Sequence, residues 1–441
     1  MNEDSNLLKS SLRKCRSKLA IVIFFSFFIN LLMFVGPLHM LQIYDRVLLS
    51  RSEVTLIVLT GLAIGLLVVY GLLEGIRSRI LVRTGLVFDE LMSSDMFDMV
   101  FETTIRRPKL SGSQALRDLD SIREFISGGA IICLCDAPWV PIFIGACFML
   151  HPILGFVALA GAMLVFALAS VNELTTRKKL SDANKLAIKS AEYAMASLRN
   201  AEIVKALGMV SGVRDGWIKN RNGMLGHQSK ASDRAGGIIA SSRFVRMGLQ
   251  VVMLATGGYL AVQDLITPGM MIAASIIMGR ALAPVEMAVS QWKNFVTARD
   301  AFVRLNELVE FQPEPIEKMD LPPPTGKVDL QGVYVQPPDS EAVVLNNISM
   351  SFDPGSVTGV VGPSGSGKST LVRAIVGVWP AVRGDVRHDG ASIANWSSDK
   401  IGPFIGYMPQ DVELFNGTVA ENIARFQKTD PEEVVSAARK A

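Results

Sequence analysis

Six long apolar runs leave this 441-residue chain few ways to fold. They fall at about 19–44, 54–76, 125–149, 152–171, 236–262 and 267–290. Each reaches the ~20 residues that a helix needs to cross about 30 Å of hydrocarbon. A soluble core has no use for six such runs. Composition agrees: 49% of residues are hydrophobic and only 19% are charged, which excludes an ordinary soluble domain. Pro37 lies in the first run, and Pro138 and Pro141 in the third. They predict kinks, tolerated where neighbouring helices or water satisfy the freed carbonyls.

Charge sets the orientation. Six crossings put residues 1–18, 77–124 and 172–235 on one side, with five, eight and twelve Lys and Arg. The other side receives 45–53, the His151 junction and 263–266, which hold only Arg46 and Arg51. The positively charged side is cytoplasmic, so the N-terminus and everything after the sixth run face the cytoplasm. A net charge of +3 is too small to argue for nucleic acid. The first run is too long for the apolar stretch of a cleavable leader, and no small-residue cleavage site follows it. Cys15, Cys133, Cys135 and Cys147 read as small buried hydrophobes; their spacing fits neither a zinc site nor a disulfide framework.

Residues 77–124 and 172–235 are too long for linkers and keep helical patterning, as in 186–198. They read as hairpins of membrane helices continued into the cytoplasm, turning near 107–113 and 208–216. Among the few ionisable groups that interrupt the apolar runs are Asp136, Arg243, Arg246, Arg280 and Glu286. Charges there are costly, so they line a polar path or pair with one another. Arg280, the most central, is the strongest path candidate.

Residues 311–326 hold five prolines and read as a semi-rigid spacer. Beyond it the pattern turns to β: strands are expected at 328–335, 343–352, 356–361, 384–390 and 405–410. Between the third of these and a helix-compatible run lies Gly362-Pro363-Ser364-Gly365-Ser366-Gly367-Lys368-Ser369-Thr370. It fits the phosphate-binding pattern G-x-x-x-x-G-K-[ST], which cradles phosphate oxygens with successive backbone N–H groups at the positive end of a helix. Lys368 supplies a compact charge for the β- and γ-phosphates, and the Ser369 hydroxyl a ligand for Mg²⁺.

With this loop, two further stretches resemble an ABC exporter: Tyr407 to Phe415, and Gly417-Thr-Val-Ala-Glu-Asn-Ile423. The resemblance covers nearly the whole chain. It implies a membrane α-helical, six-helix ABC exporter (type I) transmembrane domain over 19–310. After the 311–326 linker, it implies a partial α/β P-loop nucleotide-binding domain over 327–441. Gln410 would be the Mg²⁺- and interface-sensing glutamine, catalytic in that sense. The family's adenine-stacking aromatic falls near Pro337, and Tyr334 is the candidate to take its place. Residues 37–47, Asp136-Ala-Pro-Trp139, 279–284 and Gly377-Val-Trp-Pro380 resemble the type I secretion permease/ATPases in particular. That group implies a homodimer in the bacterial inner membrane, ATP and Mg²⁺ as cofactors, and an exported protein substrate. Its partners are a periplasmic adaptor and an outer-membrane channel, and its mechanism is alternating access driven by closure of the nucleotide domains. The N-terminal peptidase-like domain of bacteriocin exporters is not expected, and Cys15 is no peptidase nucleophile. Within the 441 residues there is no L-S-G-G-Q signature, Walker B Asp-Glu pair or switch histidine. The chain therefore reads as C-terminally truncated, with weak or no hydrolysis expected of it alone, because phosphoryl transfer needs placed metal and an oriented water. An exporter of lipid or small molecules, and a non-catalytic fragment binding nucleotide at most, are the alternatives.

Overall fold

The computed structural model describes residues 7–106, 112–310, 321–338, 340, 342–410, 412 and 414–441. The chain divides into two compact units, Met1–Pro313 and Glu314–Ala441.

The first unit is helical. It comprises α1 (Leu7–Leu32), α2 (Val35–Gln42), a π-helical turn at Ile43–Val47 and α3 (Leu48–Ser50). Next come α4 (Glu53–Arg106), α5 (Gly112–Ser127), α6 (Gly129–Asp136), a 3₁₀ turn at Ala137–Trp139 and α7 (Val140–Leu150). It ends with α8 (Pro152–Arg199), α9 (Ala201–Ala206), α10 (Val210–Val262), α11 (Pro268–Ser290) and α12 (Trp292–Glu310). Among the described residues six helical stretches are long and apolar enough to cross a membrane, by length and composition. The kink expected in the third run is present: Gly128 is extended, so the crossing starts at Gly129, and Pro138 lies in the 3₁₀ turn. The 54-residue α4 is about 80 Å long at 1.5 Å per residue, so some 50 Å of it projects beyond the hydrocarbon.

The second hairpin turns earlier than the sequence suggests. Residues 210–216 are helical, and the turn is made by Asn200 and by Leu207–Met209. Gly208, at φ +67°, ends α9. Met209 N–H donates to Val204 O at 2.8 Å and Gly208 N–H to Lys205 O at 3.1 Å. That is a Schellman closure, which needs only one left-handed residue. The first hairpin's expected turn at 107–113 falls largely outside the described residues, as do residues 311–320 of the spacer.

Two cores hold this unit together. One joins Phe143, Cys147, Leu154, Val165, Met253 and Met278 across α7, α8, α10 and α11. The other lies at the far ends of the long helices. There Phe88, Met92, Met96 and Met99 of α4 meet Ala115, Leu119, Ile122 and Ile126 of α5 and Ala301, Leu305 and Val309 of α12. All three sets repeat every three or four residues, so each helix presents one apolar stripe. Burying such a side chain contributes about 1.5–3 kcal/mol. Asp118, buried on α5, takes a two-pronged bond from Arg304 of α12, both distances 2.7 Å, which fixes the register of that bundle.

The second unit carries a four-stranded antiparallel sheet in the order β2-β1-β3-β4. Its strands are β1 (Val328–Val335), β2 (Leu345–Phe352), β3 (Arg383–His388) and β4 (Ala391–Ser392). Helix α13 (Lys368–Ile375) packs Leu371 and Ala374 against Val333, Val335, Leu345 and Val386. Three short helices follow, α14 (Ser398–Ile401), α15 (Val419–Ile423) and α16 (Pro431–Lys440). Two expected strands are not paired. Residues 356–361 and 405–410 have no ladder, although their sequences favour extension. A strand exists only where a neighbour accepts its hydrogen bonds, and no described segment pairs with either. Val357 and Val361 are accordingly almost fully exposed.

Candidate functional site

The glycine-rich loop leads directly into α13. Gly367 is the N-cap of that helix at φ +93°, and Gly365 stands at φ +83°. Both are left-handed positions that a side chain would strain. At Gly367 a Cβ would also lie 3.0 Å from Leu345 and 3.2 Å from Val344. Leu371 N–H is the first amide of α13 to bond back, to Gly367 O at 2.9 Å. The amides of Lys368, Ser369 and Thr370 therefore have no backbone acceptor among the described residues. Lys368 folds over the loop, its Nζ donating to Gly362 O and Pro363 O, each at 2.8 Å. The result is an exposed concavity of unpaired N–H groups with one ammonium beside it, chemistry that fits a polyphosphate. Ser364, Gly365, Ser366 and Ser369 are exposed; Thr370 is buried and anchors the helix.

Helix α13 ends as firmly as it begins. Val378 N–H donates to Arg373 O at 2.9 Å and Gly377 N–H to Ala374 O at 3.1 Å, a second Schellman closure. The Arg373 guanidinium lies 4.6 Å from the Trp379 ring centre. Gly377-Val-Trp-Pro380 is thus a helix stop that holds the phosphate-loop helix at a fixed length.

The structure does not bring every candidate to the loop. Tyr334 sits between Val333 and Val335, whose side chains join the core under α13. Strand alternation therefore turns Tyr334 to the opposite face of the sheet, where its ring lies 5.8 Å from the Arg383 guanidinium carbon. No described contact joins Tyr334 to the loop. Gln410 is exposed at the end of the unpaired 405–410 segment and makes no side-chain hydrogen bond among the described residues. The stretch after it is ordered by its own side chains. Thr418 and Glu421 form a reciprocal capping box on α15. Asn422 brackets the chain, accepting from Phe415 N–H at 2.9 Å and donating to Phe415 O at 3.0 Å. Arg425 donates to Gly402 O at 3.0 Å and Ile405 O at 3.1 Å.

In the helical unit the intramembrane charges separate into paired and single. Asp136 accepts from Arg77 Nη1 at 2.9 Å and from Asn30 Nδ2 at 2.8 Å. Arg77 also donates to Ser26 at 3.0 Å and holds Glu74 with two bonds of 2.8 and 2.7 Å. This buried network ties α1, α4 and α6 together. Arg246 and Glu286 pair at 2.9 Å between α10 and α11. These are ion pairs between helices, the second of the two readings the sequence left open. Arg243 and Arg280 are exposed and form no ion pair among the described residues. Sequence reasoning missed Arg77, Glu74, Asn30 and Ser26. The signal available was the burial demand of Asp136, which required a cation on a neighbouring span.

Comparison with known proteins follows this division. The profile of the ABC transporter transmembrane region matches residues 19–284, and that of the ABC transporter matches 345–441. The chain is 40% identical, over 98% of its length and 74% of the relative's, to the type I secretion system ATP-binding protein PrsD of Rhizobium meliloti (strain 1021). It is 27% identical to the cyclolysin secretion/processing ATP-binding protein CyaB of Bordetella pertussis, over 98% of this chain and 61% of that one. To the toxin RTX-I translocation ATP-binding protein of Actinobacillus pleuropneumoniae it is 25% identical, over 94% and 60%. The chain thus spans about three-fifths of the length of the two toxin-associated relatives. Among solved structures, a bacterial Atm1-family ABC exporter with ATP bound matches with a TM-score of 0.78 at 20% identity, covering 96% of this chain and 76% of that one.

Proposed function

This chain belongs to the ABC transporter family, in the type I secretion group, and from that premise we propose that it is the ATP-binding and permease component of a type I secretion system, driving export of a protein substrate. The observation that carries the proposal is the loop geometry: unpaired amides and the Lys368 ammonium before α13, on the same polypeptide as six apolar spans. In this reading Gly362 to Thr370 hold the phosphates of ATP. Ser369 and Gln410 hold Mg²⁺, which when bound neutralises charge on the transferring phosphate. Membership of this ATPase family implies hydrolysis, with Gln410 sensing the metal. The 25 cationic residues on one side against two on the other support a cytoplasmic N-terminus and cytoplasmic nucleotide domain in the bacterial inner membrane. Two copies form the transporter, served by a periplasmic adaptor and an outer-membrane channel. The unit boundaries of this proposal are 19–310 for the membrane domain, 311–326 for the linker and 327–441 for the nucleotide domain.

The test is nucleotide binding by the full chain in detergent or nanodiscs, followed with a fluorescent ATP analogue. Lys368→Ala removes the ammonium and should weaken binding at least about tenfold, a change of 1.4 kcal/mol, with unchanged helical content. Equal affinity in wild type and variant would sink the assignment. Co-purification of an adaptor protein separates protein export from export of lipid or small molecules.

A further inference from the structure

The stretch 37–47 marks the family resemblance but has no part in nucleotide binding. Within it Asp45 sits in the π-helical turn Ile43–Val47, at the non-cytoplasmic end of the first span. Its carboxylate reaches the start of the sixth span. Thr267 Oγ1 donates to Oδ2 at 2.5 Å and Gly269 N–H to Oδ1 at 2.9 Å. The cap on Gly269 N–H thus comes from another span, and the helix's own N-cap is a separate residue. Thr267 already caps α11 by accepting from Met270 N–H at 3.2 Å, and Pro268 has no amide to satisfy. Two locally unfavourable choices and one favourable charge placement converge on the one contact. The π turn is rare and clusters at functional positions. Gly269 weakens the first turn of α11, yet a Cβ there would fall 2.5–2.8 Å from the Asp45 carboxyl atoms. The carboxylate itself is half-buried at the positive end of the helix, where an anion is stabilised. Among the described residues no other hydrogen bond or ion pair joins these two outer ends.

We propose that Asp45 is a clasp on the outer face, closing the seam between the first and sixth spans, and that the seam opens when the carboxylate releases Thr267 and Gly269. A native thiol packed on the same helix, α11, serves as the reporter. Cys147, fully buried near the outer end of α7, has its Sγ 3.9 Å from Ala274 O of α11. Ala274 is six residues into α11, about 9 Å below its start at 1.5 Å per residue.

The inference rests on the outward placement of 45–53 and 263–266 given above, and the experiment separates the two. Full-length protein in sealed, oriented vesicles is treated from outside with a charged, impermeant thiol reagent, and the Cys147 peptide is followed by mass spectrometry. Asp45→Ala should raise the labelling rate of Cys147 at least tenfold. Asp45→Asn should raise it less, because the amide oxygen still accepts from Gly269 N–H. In a Cys pair at positions 45 and 267, the disulfide should return Cys147 to the wild-type rate and reduction should release it. An unchanged rate in Asp45→Ala overturns the clasp. So does a Cys pair whose rate ignores its redox state, or an equal rise at buried Cys133, which would mean general loosening. A rise seen only with reagent inside the vesicles leaves the clasp standing and refutes the orientation.

Discussion

Asp136 is the residue whose loss should be felt most in the membrane unit. Its carboxylate, 8% exposed, is held by Arg77 and Asn30. Arg77, 2% exposed, places one terminal nitrogen on Asp136 and Ser26 and the other on Glu74. Asp136→Ala removes one anion and leaves the guanidinium buried. Breaking a buried pair in this way costs about 3–5 kcal/mol. Glu74 remains in place with two bonds, so the lower end, about 3 kcal/mol, applies. Arg77→Met should cost a similar amount, because it strands the Asp136 carboxylate with Asn30 alone. The double variant removes both members of the buried pair, leaving only the half-exposed Glu74 without its partner, and should cost clearly less than the two singles together, giving a coupling of at least about 1.5 kcal/mol. Trp139 offers the readout: it lies three residues from Asp136, with its ring 5.3 Å from Phe27 of α1. With the other four tryptophans replaced by phenylalanine, its fluorescence through an SDS titration in mixed micelles reports the contact between α1 and the turn after α6. Single variants whose effects add within about 0.5 kcal/mol would show that the three helices are held by packing alone, and the network argument would be wrong.

Three further outcomes follow from particular residues. Gly384 stands at φ +83°, and a Cβ there would lie 2.2 Å from Gly332 O; Gly384→Ala should destabilise the β1–β3 ladder by about 4 kcal/mol, seen as rapid proteolysis of the second unit in the intact chain. Asp389 accepts from the Thr325 hydroxyl at 2.6 Å and from the amides of Thr325, Gly326 and Lys327, which hold its carboxyl below the usual range. A lowered carboxyl contributes stability above the ordinary pKa of about 3.9 and loses it as pH falls through the lower folded value. Asp389→Asn should therefore cost about 1 kcal/mol near pH 7, a small value because the group is exposed, and nothing in strong acid; a pH-independent difference in thermal unfolding would contradict this. Arg280, without an ion pair among the described residues and central in the sixth span, should tolerate Lys but not Ala: Arg280→Ala should slow protein export about tenfold, equivalent to 1.4 kcal/mol, with nucleotide affinity unchanged, and equal export by both variants would remove it from the path.

What the sequence made legible was whatever a single residue type or run enforces by itself. A span of apolar residues is required by the bilayer whatever surrounds it, so all six were readable. The glycine-rich turn was readable because its glycines answer to local backbone demands, and Gly365 and Gly367 do adopt positive φ. Pairing was a different matter. Asp136 stood out as a buried charge, but its partner Arg77 is 59 residues away and one residue past the apolar run, where it counted as a loop cation. Only helix register decides that its guanidinium turns inward. The strands expected at 356–361 and 405–410 failed for a related reason: extension is local, but a ladder needs a neighbour. Tyr334 is instructive in the other direction. Its two neighbours, Val333 and Val335, are both apolar, and a strand alternates faces; the pattern already assigned the core face to the valines and the far face to the tyrosine. The aromatic ring drew attention because of what an aromatic can do, whereas its position in the alternation said where it would be. An isolated polar or aromatic residue is therefore best assigned first to a face and then to a partner on the facing element, before any chemistry is attached to it. Applied to Asp45, that order leads from the end of the first span to the only described amide and hydroxyl it meets there, on the sixth.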